Sequence, residues 1–207
     1  RDSSTSRGLG DVYKRQPFNY RVWGDAEGDN GYAVDIEKLY DNVMNRYKYG
    51  GLDTPGLYLD ETTLRTCYYH RRLFAQLAKE LIKQGDHVRA RKVLTYAEQA
   101  VPAYNVPEIY ESGSFDIATA YAALGEKTKA VTLFNHLIAE SEDYINWAFS
   151  LGNGRTGMMQ NDCLYKFWQW NAYNERMKEI DKESYEASNR RFEEKYALFT
   201  QIINNRN

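Results

Sequence analysis

The sequence predicts an all-α fold, an α-solenoid of stacked helical hairpins with an extended N-terminal lead-in and C-terminal capping helices. Three observations predict it. From Asp35 onward apolar residues recur at helical spacing, a block of large and small apolar residues returns 40 positions later, and only four prolines interrupt 207 residues. The charges nearly balance, 27 Lys and Arg against 29 Asp and Glu, which argues against a nucleic-acid surface. No apolar run reaches the roughly 18 residues of a membrane helix, and two cysteines exclude a disulfide scaffold.

Residues 1–16, RDSSTSRGLGDVYKRQ, lack hydrophobic periodicity and have the composition of a disordered tail. The stretch Asp11 to Gln16 also looks like a translated transposon end of a sequencing adapter, so the segment reads as adapter-derived and is kept out of fold arguments. Without Arg1, Arg7, Lys14 and Arg15, against Asp2 and Asp11, the remainder is slightly more acidic than the net −2 of the whole. Residues 17–62 are then a lead-in with one short helix. Pro17 to Gly31 is polar, Gly-rich and extended, with aromatics at Phe18, Tyr20 and Trp23. Ile36, Leu39, Tyr40, Val43, Met44 and Tyr47 follow a helical stripe with Asp35 as its N-cap, and Gly50-Gly51 ends it near Tyr49. The turn Asp53-Thr54-Pro55-Gly56 and the extended Leu57 to Asp60 lead into the next helix, with Asp60 or Thr62 as cap.

Residues 63–144 carry the repeat. In its first copy Phe74, Leu77, Ala78 and Leu81 form one stripe, Gly85 closes the helix, and Ala90, Leu94 and Ala97 form the facing stripe. In the second, Ile117, Ala118, Tyr121, Gly125, Ala130 and Phe134 occupy the corresponding positions. Small alanines facing large residues resemble the tetratricopeptide pattern, in which two antiparallel helices approach closely. The second copy departs from it, with Ser114, Leu137 and Glu142 at the positions of Phe74, Ala97 and Pro102, and Ala103 to Ser112 reads as an inserted linker or a lengthened helix start. Residues 145–207 follow as C-terminal helices: an apolar stretch, Ile145 to Leu151, a Gly-rich break, then helices at about Gln160 to Ile180 and Lys182 to Asn204. Tyr185, Phe192, Tyr196, Phe199 and Ile203 line one side of the last, which suits a soluble cap.

No constellation in the chain predicts catalysis, a cofactor or a metal. Gly152, Gly154 and Gly157 match the spacing of a nucleotide loop, but helical sequence precedes them where a strand is required, so they predict a flexible interhelical loop. Cys67 and His70 lie one helical turn apart, while His87, His136 and Cys163 are scattered, so four metal ligands do not assemble. Asp35, Glu37, Asp60 and Glu61 are explained by capping and solvated faces. Phe167, Trp168, Trp170 and Tyr173 form a dense aromatic cluster that reads as a core stripe or a sugar-stacking platform; Trp168 and Trp170 cannot point the same way, which predicts one of them exposed. On the concave face of such a stack Arg72, Lys79 and Lys83 share one side, with Phe115 and Thr119 from the second pair, suited to an acidic or carboxylate-bearing partner or simply to solvent.

One block carries a more specific resemblance. Asp35-Ile36-Glu37-Lys38-Leu39-Tyr40-Asp41-Asn42-Val43-Met44-Asn45-Arg46-Tyr47-Lys48-Tyr49-Gly50-Gly51, then Tyr58-Leu59-Asp60-Glu61 and Arg65, resembles the soluble C-terminal tail of bacterial protein O-mannosyltransferase-like membrane proteins, glycosyltransferase family 117. The resemblance spans about residues 31–140. It implies a parent anchored in the membrane N-terminal to this chain, with its catalytic residues in that portion and none of them here, and a tail in the cell envelope facing the periplasm. The expected function is a noncatalytic domain that binds a protein or peptide, and the alternatives are a carbohydrate-binding or glycan-processing helical module using exposed tryptophan, or a purely structural assembly role.

Overall fold

The computed structural model describes residues 18–20 and 32–204; the adapter-like segment 1–16 and Trp23 lie outside the described residues. Within them the chain is all-α, apart from a short antiparallel ladder in which β1 (Phe18–Tyr20) pairs with β2 (Tyr32–Val34). Eight helices follow: α1 (Ile36–Asp41), α2 (Glu61–Lys83), α3 (His87–Ala100), α4 (Ser114–Ala123), α5 (Lys127–Ser150), α6 (Asn153–Met158), α7 (Gln160–Ile180) and α8 (Lys182–Asn204). A π-helical turn, Asn42–Arg46, extends α1, and a 3₁₀ turn, Tyr110–Ser112, precedes α4. α2 packs on α3 and α4, α4 on α5, α5 on α7, and α7 on α8.

The lead-in helix is capped as its sequence predicts, with Asp35 Oδ1 accepting from Lys38 N at 3.1 Å. It stops short of Tyr49 because that residue turns inward. Tyr49 packs against Phe74, Tyr96 and His70 and donates its hydroxyl proton to Val43 O at 2.6 Å. Leu39, Val43 and Leu52 are buried with it, so the lead-in covers one end of the first helix pair instead of merely approaching it. Asp60, not Thr62, caps α2: its Oδ1 accepts from Thr62 N at 2.9 Å and Thr63 N at 3.1 Å.

The two copies of the repeat have the same joint. Gly85 and Gly125 take φ of +78° and +77°, which only glycine adopts without strain, and the following residues close the turn through Asp86 N to Leu81 O and Glu126 N to Tyr121 O, both 2.9 Å. Phe74, Leu77, Ala78, Leu81, Ala90, Leu94 and Ala97 are buried in the first pair, and Ile117, Ala118, Tyr121, Ala130, Phe134 and Leu137 in the second. Ala90 and Ala130 have no exposed surface, so there is no room for a larger side chain at either. Ala90→Leu and Ala130→Leu are each expected to lower stability by about 1–3 kcal/mol through overpacking, read as a lower thermal midpoint. An unaltered midpoint for both would refute the alignment of the two pairs.

One segment decides between two expected alternatives and two differ from expectation, each for a local reason. Ala103 to Ser112 is a linker, not a lengthened helix start, because Pro102 just before it and Pro107 within it interrupt helical hydrogen bonding. α5 runs unbroken through Tyr144 to Ser150, burying Ile145 and Ala148, so a division at residue 144 falls inside a helix. The Gly-rich break holds α6 instead of a flexible loop: Gly152 takes φ of +84°, and buried Thr156 donates through Oγ1 to Ala148 O at 2.7 Å. α7 and α8 have the bounds read from sequence. Their shared core holds Trp170 Nε1 donating to Ser188 Oγ at 2.8 Å, which donates to Asn174 Oδ1 at 2.6 Å. From the expected stripe of α8, Phe199 is buried and Phe192 packs on Phe167 and Trp170, while Tyr196 stays partly exposed. No helix among the described residues is long and apolar enough to cross a membrane.

Candidate binding groove

Successive arginines on α2 hold the linker from opposite sides. Arg71 is buried, and its guanidinium donates from Nη1 to Pro107 O at 2.6 Å and Ser112 Oγ at 3.0 Å, and from Nη2 to Val101 O at 2.9 Å and Val106 O at 2.6 Å. Burial lowers its pKa to about 10, which leaves it charged at neutral pH. Arg72, on the outer side, donates from Nε to Glu111 O at 2.6 Å and from Nη2 to the same oxygen, with its guanidinium 5.2 Å from the centre of the Tyr69 ring. The chain is drawn so close that a Cβ on Gly113, itself at φ +84°, would sit 2.9 Å from Arg72 Cγ and 3.2 Å from Arg72 Cα.

This clamp builds a groove. Three hollows of about 430, 400 and 320 Å³ adjoin one another, and Arg72 lines all three. Tyr69, Gln76 and Lys79 supply the α2 wall, while Glu111, Phe115 and Asp116 supply the wall from the 3₁₀ turn and α4. α7 adds an aromatic rim: Trp168, 52% exposed, lies parallel to Tyr165 at 5.8 Å between ring centres and presents its edge to Tyr110 at 5.4 Å. Glu111 joins the turn to α7, its Oε1 accepting from Gln169 Nε2 at 3.1 Å. Asp116 is exposed, and partial burial of its carboxyl group against the α2 wall raises its pKa, opposed by the nearby charges of Lys79 and Arg72. Among the described residues no ion pair joins Arg72, Lys79, Glu111 or Asp116 to an opposite charge, whereas Lys83, Arg89, Arg91, Lys129 and Lys166 are all paired.

The residues singled out from sequence divide accordingly. Arg72 and Lys79 share the groove as their spacing predicts, and Phe115 lines it while packing against Phe134 and Tyr173. Lys83 does not join them, since it pairs with Glu80 at 2.9 Å in the last turn of α2. Thr119 also turns away, donating its hydroxyl proton to Phe115 O at 2.9 Å on its own helix. Trp170 is wholly buried and cannot meet a sugar, which leaves Trp168 as the exposed member of the pair. Cys67 and Cys163 are free and buried, with burial raising both thiol pKa values, and no group of three or more His, Cys, Asp or Glu among the described residues could hold a metal ion. Sequence reasoning missed Tyr69, which lies one helical turn before Arg72, and Glu111 and Asp116, which reach the groove only through the folded linker.

Comparisons with protein-family models, with curated proteins and with solved structures return no match. What the groove can do therefore follows from its own chemistry. It is open, aromatic at its rim and charged with both signs, an arrangement that offers apolar contact for affinity and unpaired charges for orientation.

Proposed function

We propose that this chain is a noncatalytic interaction domain whose groove receives an extended peptide segment of a protein partner. One observation carries the reading: charges of both signs that make no ion pair among the described residues, Arg72, Lys79, Glu111 and Asp116, gather with partly exposed aromatic rings on a single groove between helices, while Lys83 and Lys166 of the same helices are paired. The tetratricopeptide-like character of the two pairs is part of the proposal, supported by the matching glycine joints and the buried alanines 40 residues apart. So is a position as the soluble, envelope-located tail of a membrane-bound glycosyltransferase-like protein, supported by the block from Asp35 to Gly51 and by Tyr58-Leu59-Asp60-Glu61.

Phage display of random twelve-residue peptides on the purified protein tests the groove. Selected peptides are expected to lose about tenfold or more in affinity, by fluorescence polarisation, on Tyr69→Ala combined with Tyr165→Ala. Failure to select any peptide, or equal binding by the variant, would sink the proposal. A second reading is favoured by the half-exposed Trp168 lying parallel to Tyr165, a platform on which a sugar ring could stack. Oligosaccharides that change the tryptophan fluorescence, with the response lost in Trp168→Ala, would select this reading over the first.

A further inference from the structure

The four charges of the groove, Arg72, Lys79, Glu111 and Asp116, balance, so it is the commitment of donors and acceptors that points away from the acidic partner implied by the lysines and arginine of α2 in sequence. Of those three cations, Lys83 is paired with Glu80, and Arg72 is engaged by Glu111 O and stacked on Tyr69, so only Lys79 is uncommitted. The opposite wall carries a larger set of uncommitted acceptors. Asp116 makes no ion pair among the described residues and stands exposed where two of the hollows meet. The Glu111 carboxylate accepts from Gln169 Nε2, lies within hydrogen-bonding reach of the Tyr165 hydroxyl, and makes no ion pair among the described residues. Tyr110, Phe115 and Tyr165 line the same hollow, with Trp168 against two of them.

We propose that the peptide received by this groove anchors there through an arginine side chain, set between the carboxylates of Glu111 and Asp116 and the rings of Tyr110 and Tyr165. The inference rests on the peptide-binding reading above. Arginine is the side chain that suits all of these groups together. Its planar fork of donors serves several acceptors at once, its flat face stacks on aromatic rings, and it stays charged. The three hollows share Arg72 in their lining and together exceed the room one side chain fills, so the occupant extends beyond its anchor. Lys79, at the far end of the α2 wall, then sets the direction of the segment by favouring an acidic residue at that end.

The test uses the peptides selected by display on the full chain. They are expected to share an arginine at one position, and its replacement by citrulline, which keeps the shape and loses the charge, is expected to weaken binding about tenfold or more. In Asp116→Asn the same replacement is expected to matter much less, because the charge it removes no longer has its partner. The thermal midpoint of Asp116→Asn serves as the folding control and is expected to hold, since the residue is exposed and makes no ion pair among the described residues. Peptides that bind without a shared arginine, or a citrulline effect of equal size in Asp116→Asn and the native protein, would overturn the arginine anchor and leave the peptide groove standing. If no peptide binds at all, both fall together.

Discussion

Arg71→Ala is expected to destabilise the protein by about 3–5 kcal/mol, measured by urea unfolding. The guanidinium is the common donor to three carbonyl oxygens and a serine hydroxyl along residues 101–112, and the substitution strands them in a buried site. Arg71→Lys separates charge from geometry. An ammonium keeps the charge but cannot fork to four acceptors, so a loss of about 2 kcal/mol is expected. Arg72→Ala removes exposed contacts, with Glu111 O and the Tyr69 ring, and about 1 kcal/mol is expected there. Equal effects at the two neighbours would show that the linker is not held from its buried side.

Trp170→Ala is the other large loss, again about 3–5 kcal/mol, because it empties the space between α7 and α8. The indole has no exposed surface, meets the edge of Phe192, and donates to Ser188. Trp170→Phe keeps most of the apolar volume and abandons the hydrogen bond, so about 1–2 kcal/mol is expected beyond the lost ring. Trp168→Ala, two residues away on the exposed side of the same helix, is expected to leave the unfolding midpoint within about 0.5 kcal/mol of the native value. The contrast places the two tryptophans on opposite sides of α7 by a solution measurement.

Helices with a strong local pattern were legible from the residues alone. α7 and α8 begin and end where the stripes and the break at Asp181 put them, and the glycines at 85 and 125 mark joints because a positive φ is a local demand. What escaped was set by contacts distant in sequence. The lead-in ends where Tyr49 finds Phe74 and Tyr96, which no periodicity within residues 35–49 reveals. Arg71 and Arg72 are adjacent and chemically identical, and only the fold makes one a buried staple and the other a groove wall. The site was legible in part for the same reason. Arg72 and Lys79 lie on one helix at a readable spacing, but of their acidic counterparts Glu111 comes from a linker whose path depends on Arg71, and Asp116 from the helix that this linker positions. The Gly-rich break misled because its one decisive residue, Thr156, bonds to a carbonyl eight residues earlier on another helix.

The unbroken course of α5 has a consequence for how the molecule comes apart. Its first half packs with α4, and its second half carries Glu142 and Asn146, which meet Arg191 and Lys195 of α8, so one rod of backbone hydrogen bonds belongs to both neighbouring pairs. A pair that ends in a loop can fray while its neighbour stays intact, but here opening either side exposes half of the same helix. Amide hydrogens from Ala130 to Ala148 should therefore exchange with deuterium at one common rate, as a single cooperative unit, and loss of α8 should speed exchange as far back as α4.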